Sequence, residues 1–408
     1  MGGTPVVHRA RWQPGLCGAV AALSGLVLTT PLWGQVPATV AAAPSPTFSQ
    51  LSDPLSVRVP QSDLTLTIGG YAKVSFIQDF DAIGDAFEFK VSTIPVAGTP
   101  AADLTGRTTI HARESRVNLD VRSGSGFRAF VEGDFFGSGN AFRLRHAYGE
   151  YGHLLGGQTW STFQDISARP LTLDFEGPDA EVFIRQAMIR WTQPLSTSWT
   201  WAMAVENPSP EFAVPGSVTG APQSNAPDLV THVRVSGGRG HLQVAGVLRQ
   251  IRFDGQGTSS DLSELGYGAN ANFVLKTVGK DELLGQLLVG EGIAHYVEGF
   301  NGQSSDAVIV SPSQLKTLPL TAAVIGYVRH WSEKLRSGAS YAIAELTTDA
   351  VQGGSALERI QDVRVNLIYR PYRLVEVGGE LLWGRRDNRD GSNGEARRAM
   401  FAITYYLH

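Results

Sequence analysis

One cysteine, Cys17, occurs in a chain of 408 residues. It falls in a segment expected to be removed on export, so the mature protein has no thiol for disulfides, redox work or metal binding. Nine histidines are scattered without a close i, i+4 pair, which removes the usual helical metal motif. No G-x-S-x-G elbow and no H-E-x-x-H motif occurs. No cofactor or metal is therefore expected. After residue 34 no apolar run approaches the roughly 20 residues of a membrane-spanning helix. Lysine is scarce: of 34 basic residues six are lysine and the rest arginine. The formal charge is −4, without the basic face that nucleic acid requires.

What is present begins with an export signal. Arg9 and Arg11 precede an apolar core from Leu16 to Leu28, and cleavage is expected between Gly34 and Gln35. Losing residues 1–34 removes two arginines and leaves a charge of about −6. Residues 35–62, rich in Ala, Pro, Ser and Gln and without a period, read as a flexible periplasmic lead-in. No composition break divides 63–408, so one large domain is expected there.

Within it, short alternating strands are separated by gaps that are tight and long in turn. The tight gaps are Ser123–Gly126, Gly152–His153, Gln193–Ser198, Gly237–Gly240, Thr277–Glu282, Ser332–Arg336 and Pro371–Arg373. The long ones, rich in Gly, Pro, Ser and Asp, are 80–106, 137–141, 163–182, 207–227, 254–263, 298–319, 348–357 and 387–395. Short periplasmic turns and long extracellular loops are what an outer-membrane barrel needs. The gaps imply an all-β fold, a transmembrane antiparallel β-barrel of about 16 strands, an even number as such barrels require.

Side chains along a strand point to alternate faces, so each strand can be sorted. Val117, Leu119 and Val121 share one face, and Arg116, Asn118, Asp120 and Arg122 the other. Phe127, Ala129, Val131 and Phe135 oppose Arg128, Phe130, Glu132 and Asp134. Leu242, Val244, Gly246 and Leu248 oppose Gln243 and Arg249, and Val363, Val365 and Leu367 oppose Asp362, Arg364 and Asn366. Val375, Val377, Leu381 and Trp383 oppose Glu376, Glu380 and Arg386. A soluble sandwich would alternate too. Aromatics near strand ends, among them Trp160, Trp191, Trp331 and Tyr372, and the apolar last strand 399–407 favour a barrel with interfacial girdles. An arginine on the lipid face costs about 2–4 kcal/mol near the midplane, so most arginines must face the lumen or the rim.

On the lumen parity stand Arg116, Arg128, Arg143, Arg145, Arg190, Arg234, Arg249 and Arg364, opposed by Asp120, Glu132, Asp134, Glu376 and Glu380. A planar guanidinium meets a carboxylate with two parallel hydrogen bonds, and rings of such charges set pore selectivity. These arginines either draw anions through the pore or pair with the acids to hydrate and stiffen its lumen. The 163–182 stretch carries Asp165, Arg169, Asp174, Glu176, Asp179 and Glu181, broken by Pro170 and Pro178. It is expected to fold inward as a constriction loop. Together these features describe a diffusion pore for small hydrophilic solutes in the outer membrane of a Gram-negative bacterium, among outer-membrane lipid and lipopolysaccharide. The alternatives are an outer-membrane hydrolase barrel and a non-conducting structural barrel.

Ala112-Arg113-Glu114-Ser115-Arg116 and Val131-Glu132-Gly133-Asp134-Phe135-Phe136-Gly137 resemble the DcaP-like porins. So do Leu144-Arg145-His146-Ala147-Tyr148-Gly149, Gly157-Gln158-Thr159-Trp160-Ser161-Thr162-Phe163, Asp174-Phe175-Glu176-Gly177-Pro178 and Ile184-Arg185-Gln186. The likeness is specific over about 64–210. It implies a sixteen-stranded homotrimeric channel that passes small anions, dicarboxylates among them. It also implies that Arg116, Arg145 and Arg185 line the path, although Ala187, Ile189 and Trp191 share the parity of Arg185.

Overall fold

The computed structural model describes residues 55–104 and 106–407. The expected signal, 1–34, and most of the expected lead-in lie outside the described residues. The end of that lead-in is a strand: Leu55–Arg58 pairs with Thr65–Ile68.

Sixteen antiparallel strands form one closed wall. The first six are β1 Leu64–Asp79, β2 Arg116–Ser123, β3 Phe127–Asp134, β4 Arg143–Tyr151, β5 Leu154–Trp160 and β6 Arg185–Pro194. Then come β7 Trp199–Glu206, β8 Asp228–Gly237, β9 Gly240–Gly255, β10 Leu262–Lys276 and β11 Glu282–Glu291. The last are β12 Pro319–His330, β13 Leu335–Leu346, β14 Leu357–Tyr372, β15 Val375–Asn388 and β16 Asn393–Tyr406. Each pairs with the next, and β1 pairs with both β2 and β16, which closes the cylinder and leaves no edge. The alternation of tight turns and long loops falls where the sequence places it.

The wall forms because each strand can satisfy two solvents at once. In β9, Leu242 and Val244 are 44% and 50% exposed, while Gln243, Ala245, Val247 and Arg249 between and beyond them are buried. The same alternation runs through β14, where Val365 and Leu367 face out and Arg364 and Asn366 face in. Trp191, Trp331, Tyr369, Tyr372 and Tyr405 are exposed near strand ends, as girdle residues are. Trp160 is not one of them; it turns inward against His146 and Phe183.

The interior is not evenly open. Sequence alone points to one inserted loop, 163–182, but three segments are buried inside the barrel. The first brings Ile83, Phe89, Val91 and Ile94, and the third Ile293, Tyr296, Val297 and Phe300, all 6% exposed or less. With the middle loop they pack on small and apolar inward residues of β13–β16, such as Ala342, Ile360, Ala396 and Met400. That side of the lumen is a core. The inward faces of β2–β4 keep Arg116, Asn118, Asp120, Arg128 and Phe130 only half-buried, so water reaches the lumen along this wall.

One glycine lets that wall form. Gly157, at φ +133°, crosses Tyr148 so closely that a Cβ there would stand 2.3 Å from the Ala147 carbonyl oxygen and 2.5 Å from the Tyr148 Cα. Gly157→Ala is expected to cost about 1–3 kcal/mol through backbone strain. The readout is a lower temperature for the folded-to-unfolded band shift on cold-loaded gels; an unchanged shift would contradict it.

Candidate solute path and its anchors

The half-open wall is built from strand pairing. Arg116 lies opposite Asp134, Asn118 opposite Glu132, and Asp120 opposite Phe130. On the next strand Phe130 meets Tyr148 and Arg128 meets Glu150. The register then slips between Glu132 and Gly133. A bulge of this kind inserts one unpaired residue and re-aims its neighbours. Arg143 and Arg145 share the inner face, but so does His146, and below the bulge Tyr148 and Glu150 rather than Ala147 and Gly149 continue it.

Four arginines converge where this wall meets the middle loop. Arg143 makes a two-pronged bond to Asp134 at 3.0 and 2.9 Å. Arg145 reaches Asp134 at 2.8 Å and Glu132 at 3.3 Å, and Arg116 reaches Glu132 at 3.4 Å. The ring of Phe175, from the loop, sits beneath all three guanidinium groups at 4.9–5.6 Å and stacks on Phe136 at 4.5 Å. Cation–π contact of this kind holds a guanidinium without neutralising it. Arg185 lies 4.7 Å over Trp160 and 6.0 Å from the Phe183 ring centroid. Among the described residues no carboxylate stands within ion-pair distance of it, and its buried Nη1 has no acceptor. Four arginines thus face two carboxylates. The surplus is positive.

The other named residues divide into wall and anchor. Arg128 binds Asp120 at 3.0 Å and Glu150 at 3.5 Å toward the periplasmic turns, and Arg190, on the inner face of β6, has no ion-pair partner among the described residues. Arg234 is bound to Asp165 of the loop. Arg249 and Arg364 do not line water, contrary to expectation: both side chains are 0% exposed. Arg249 is enclosed by Asp228 and Asp306, and Arg364 by Asp174, Asp362 and Asp179. Parity places each on the inner face, but an inserted loop covers it there. Among the opposing acids, Glu376 binds Arg336 and Arg370 instead of facing solute. Glu380, 2% exposed, accepts the Leu173 and Asp174 N–H groups at 2.9 and 2.7 Å.

These anchors pin the loop across the lumen. Lys73 donates to Glu114 and to the Leu173 carbonyl, and Asn366 to the Leu171 carbonyl. Arg398, which sequence reasoning missed, is fully buried against Asp79. Arg169 braces the loop internally through Glu181 and the Glu176 carbonyl. Burial pushes the Glu181 carboxyl up to about 7 despite that arginine. Asp165 is also buried, but His241 and Arg234 hold it down at about 2. Ser167, His241 and Asp165 touch, yet one nitrogen, Nε2, contacts both partners at 3.3 and 2.7 Å. A proton relay needs the two ring nitrogens separately. This trio fastens the loop.

A closed barrel of sixteen antiparallel strands, girdled by aromatics, with loops folded into a charged lumen, is an outer-membrane porin. The chain belongs to the DcaP outer membrane protein family, whose model matches residues 52–406. The outer membrane channel DcaP of Acinetobacter baumannii is 19% identical and superposes with a TM-score of 0.76, over 86% of this chain and 99% of that one. An anion-selective porin from Comamonas acidovorans is 13% identical, TM-score 0.55, over 85% and 100% of the two chains. OmpT of Vibrio cholerae in its trimer form is 12% identical, TM-score 0.52, over 84% and 99%. At these identities the likeness concerns the fold. A comparison with curated proteins gives no match.

Proposed function

We propose that this barrel is a passive diffusion channel that favours small anions, dicarboxylates among them, and that solutes cross between the β2–β6 wall and the 163–182 loop, which acts as its constriction. The observation that carries the reading is Arg185: a guanidinium held on aromatic faces, beside Arg116, Arg143 and Arg145, with no carboxylate of its own. Its free donors suit an incoming carboxylate, and a second carboxylate on the same solute has Arg145 nearby. Arg128 and Arg190 continue the positive wall toward the periplasm. Stacked aromatic rings between the arginines keep them extended without cancelling their charge.

A homotrimer fits the outer surface. Strands β2 to β5 have only seven to nine residues, at or below the lower end of the roughly 9–11 that a tilted strand needs to span a bilayer. Their outward Val117, Leu119, Phe127, Val131, Leu144 and Leu154 are exposed and apolar, a surface that neighbouring subunits would cover. Outer-membrane lipid and lipopolysaccharide would surround the longer strands.

Planar-bilayer recording under a potassium chloride gradient tests this. The expected result is conductance in steps of three, with a reversal potential on the chloride side that moves further when succinate blocks or carries current. A cation-selective or silent barrel would refute it.

A further inference from the structure

The arginine wall faces a second charged surface, made where the three inserted loops meet. Backbone bonds knit the loops: Glu298 N–H to the Glu181 carbonyl at 3.1 Å and Gly299 N–H to the Asp179 carbonyl at 2.8 Å. From the first loop, Val91 N–H donates to Asp179 and Phe89 N–H to Asp174, each at 3.1 Å. This brings Glu88, Glu176 and Glu298 around a single lysine, Lys90, whose Nζ is 3.6 Å from Glu176. Glu88, Lys90 and Glu298 are half-buried, and Glu298 is near enough to act electrostatically on Arg185. Glu176 is 1% exposed, and neither of its oxygens receives a hydrogen bond.

We propose that Glu88, with Glu298 beside it, forms a proton-controlled counter-wall, so that the channel's anion preference is strongest when Glu88 holds its proton and weakens as it ionises. The inference rests on the anion reading above and deepens it by naming what sets its strength. The charge count supports it. The junction collects Asp85 and Glu88 from the first loop, Asp174, Glu176, Asp179 and Glu181 from the second, Glu298 from the third and Asp362 from the wall. Against them stand Lys90, Arg169, Arg364 and Arg398. Arg364 and Arg398 are committed to Asp174, Asp179, Asp362 and Asp79, and Arg169 to Glu181. That leaves one lysine for Asp85 and three glutamates. Carboxylates this enclosed cannot all ionise, because desolvation and mutual repulsion favour the neutral form. Burial, then the Glu298 charge, push the Glu88 carboxyl up to about 8, and burial pushes Glu176 well above the usual carboxylate range.

The sign follows. Below about pH 8 Glu88 is neutral and the arginines dominate the opening; above it a negative charge appears beside Glu298, the member of the cluster that acts on Arg185. One added negative charge in this cluster should lower the chloride-to-potassium permeability ratio roughly two- to threefold. The experiment is the reversal potential of the full mature barrel in a tenfold potassium chloride gradient, from pH 6 to pH 9.5, for wild type, Glu88→Gln and Glu298→Gln. Wild type should lose anion preference with rising pH, and at least one variant should hold the low-pH ratio throughout. A ratio that does not change with pH in the wild type, or two variants that titrate like it, would overturn the proposal. So would a jump in conductance over the same range, since the loops would then be separating. A wild type with no anion preference at pH 6 would instead refute the anion reading beneath it.

Discussion

Replacing Arg364 with alanine is expected to unfasten the inserted loop and to cost about 3–5 kcal/mol of stability. The guanidinium is fully enclosed and bridges three carboxylates, two from the loop at 2.8 and 3.4 Å and one from its own strand at 2.8 Å. Removing it leaves Asp174, Asp179 and Asp362 buried together, with Arg398 4.0 Å from Asp174 as the nearest remaining cation. Three such carboxylates must take up protons or move to water, and the loop is the part able to move. The thermal transition of the purified barrel should fall, and single-channel conductance should rise as the lumen widens. Arg122→Ala is the contrast. Its side chain is 59% exposed and its Asp120 partner also binds Arg128, so its loss should stay within about 1 kcal/mol. If Arg364→Ala matched Arg122→Ala in melting and conductance, the loop would not hang on this residue.

The contrast between these arginines marks how far the sequence could be read. Strand parity is a local property, so the inward placement of Arg116, Arg128, Arg249 and Arg364 was legible from their neighbours alone. Whether water or a loop waits on that inner face is a long-range fact: Arg364 meets residues nearly two hundred positions away. Arg249 and Arg364 were therefore indistinguishable from Arg116 in sequence, although they are covered by inserted loops and Arg116 stays half-buried. The bulge at Arg145 and His146 escaped for a related reason, since it exists only against the register of β3. A usable signal was present for the two unexpected inserted loops. Phe89, Val91 and Ile94, and likewise Ile293, Tyr296 and Phe300, are too apolar for exposed loops and had to be buried somewhere. The eccentric lumen follows from them.

Among substitutions in the path, Arg185→Gln should change selectivity most while disturbing the fold least. Arg143 and Arg145 are bound to Asp134, so neutralising either removes a charge that is already largely balanced and exposes a buried carboxylate. Arg185 has no such debt: its neighbours are the faces of Trp160 and Phe183, on which a glutamine can still lie. What disappears is one full, unbalanced positive charge. At about 4 Å from a passing carboxylate such a charge contributes about 1 kcal/mol in water, and more where the walls exclude it. A loss of about 1–2 kcal/mol corresponds to roughly a five- to thirtyfold weaker interaction with anions. The reversal potential should move toward zero, and succinate should block current only at proportionally higher concentration. Arg185→Lys separates charge from geometry. It should keep the chloride preference, because the charge remains, yet lose part of the succinate effect, because an ammonium cannot offer the planar fork. Equal reversal potentials for wild type and Arg185→Gln would place the selective charge elsewhere on the wall, with Arg190 the next to test.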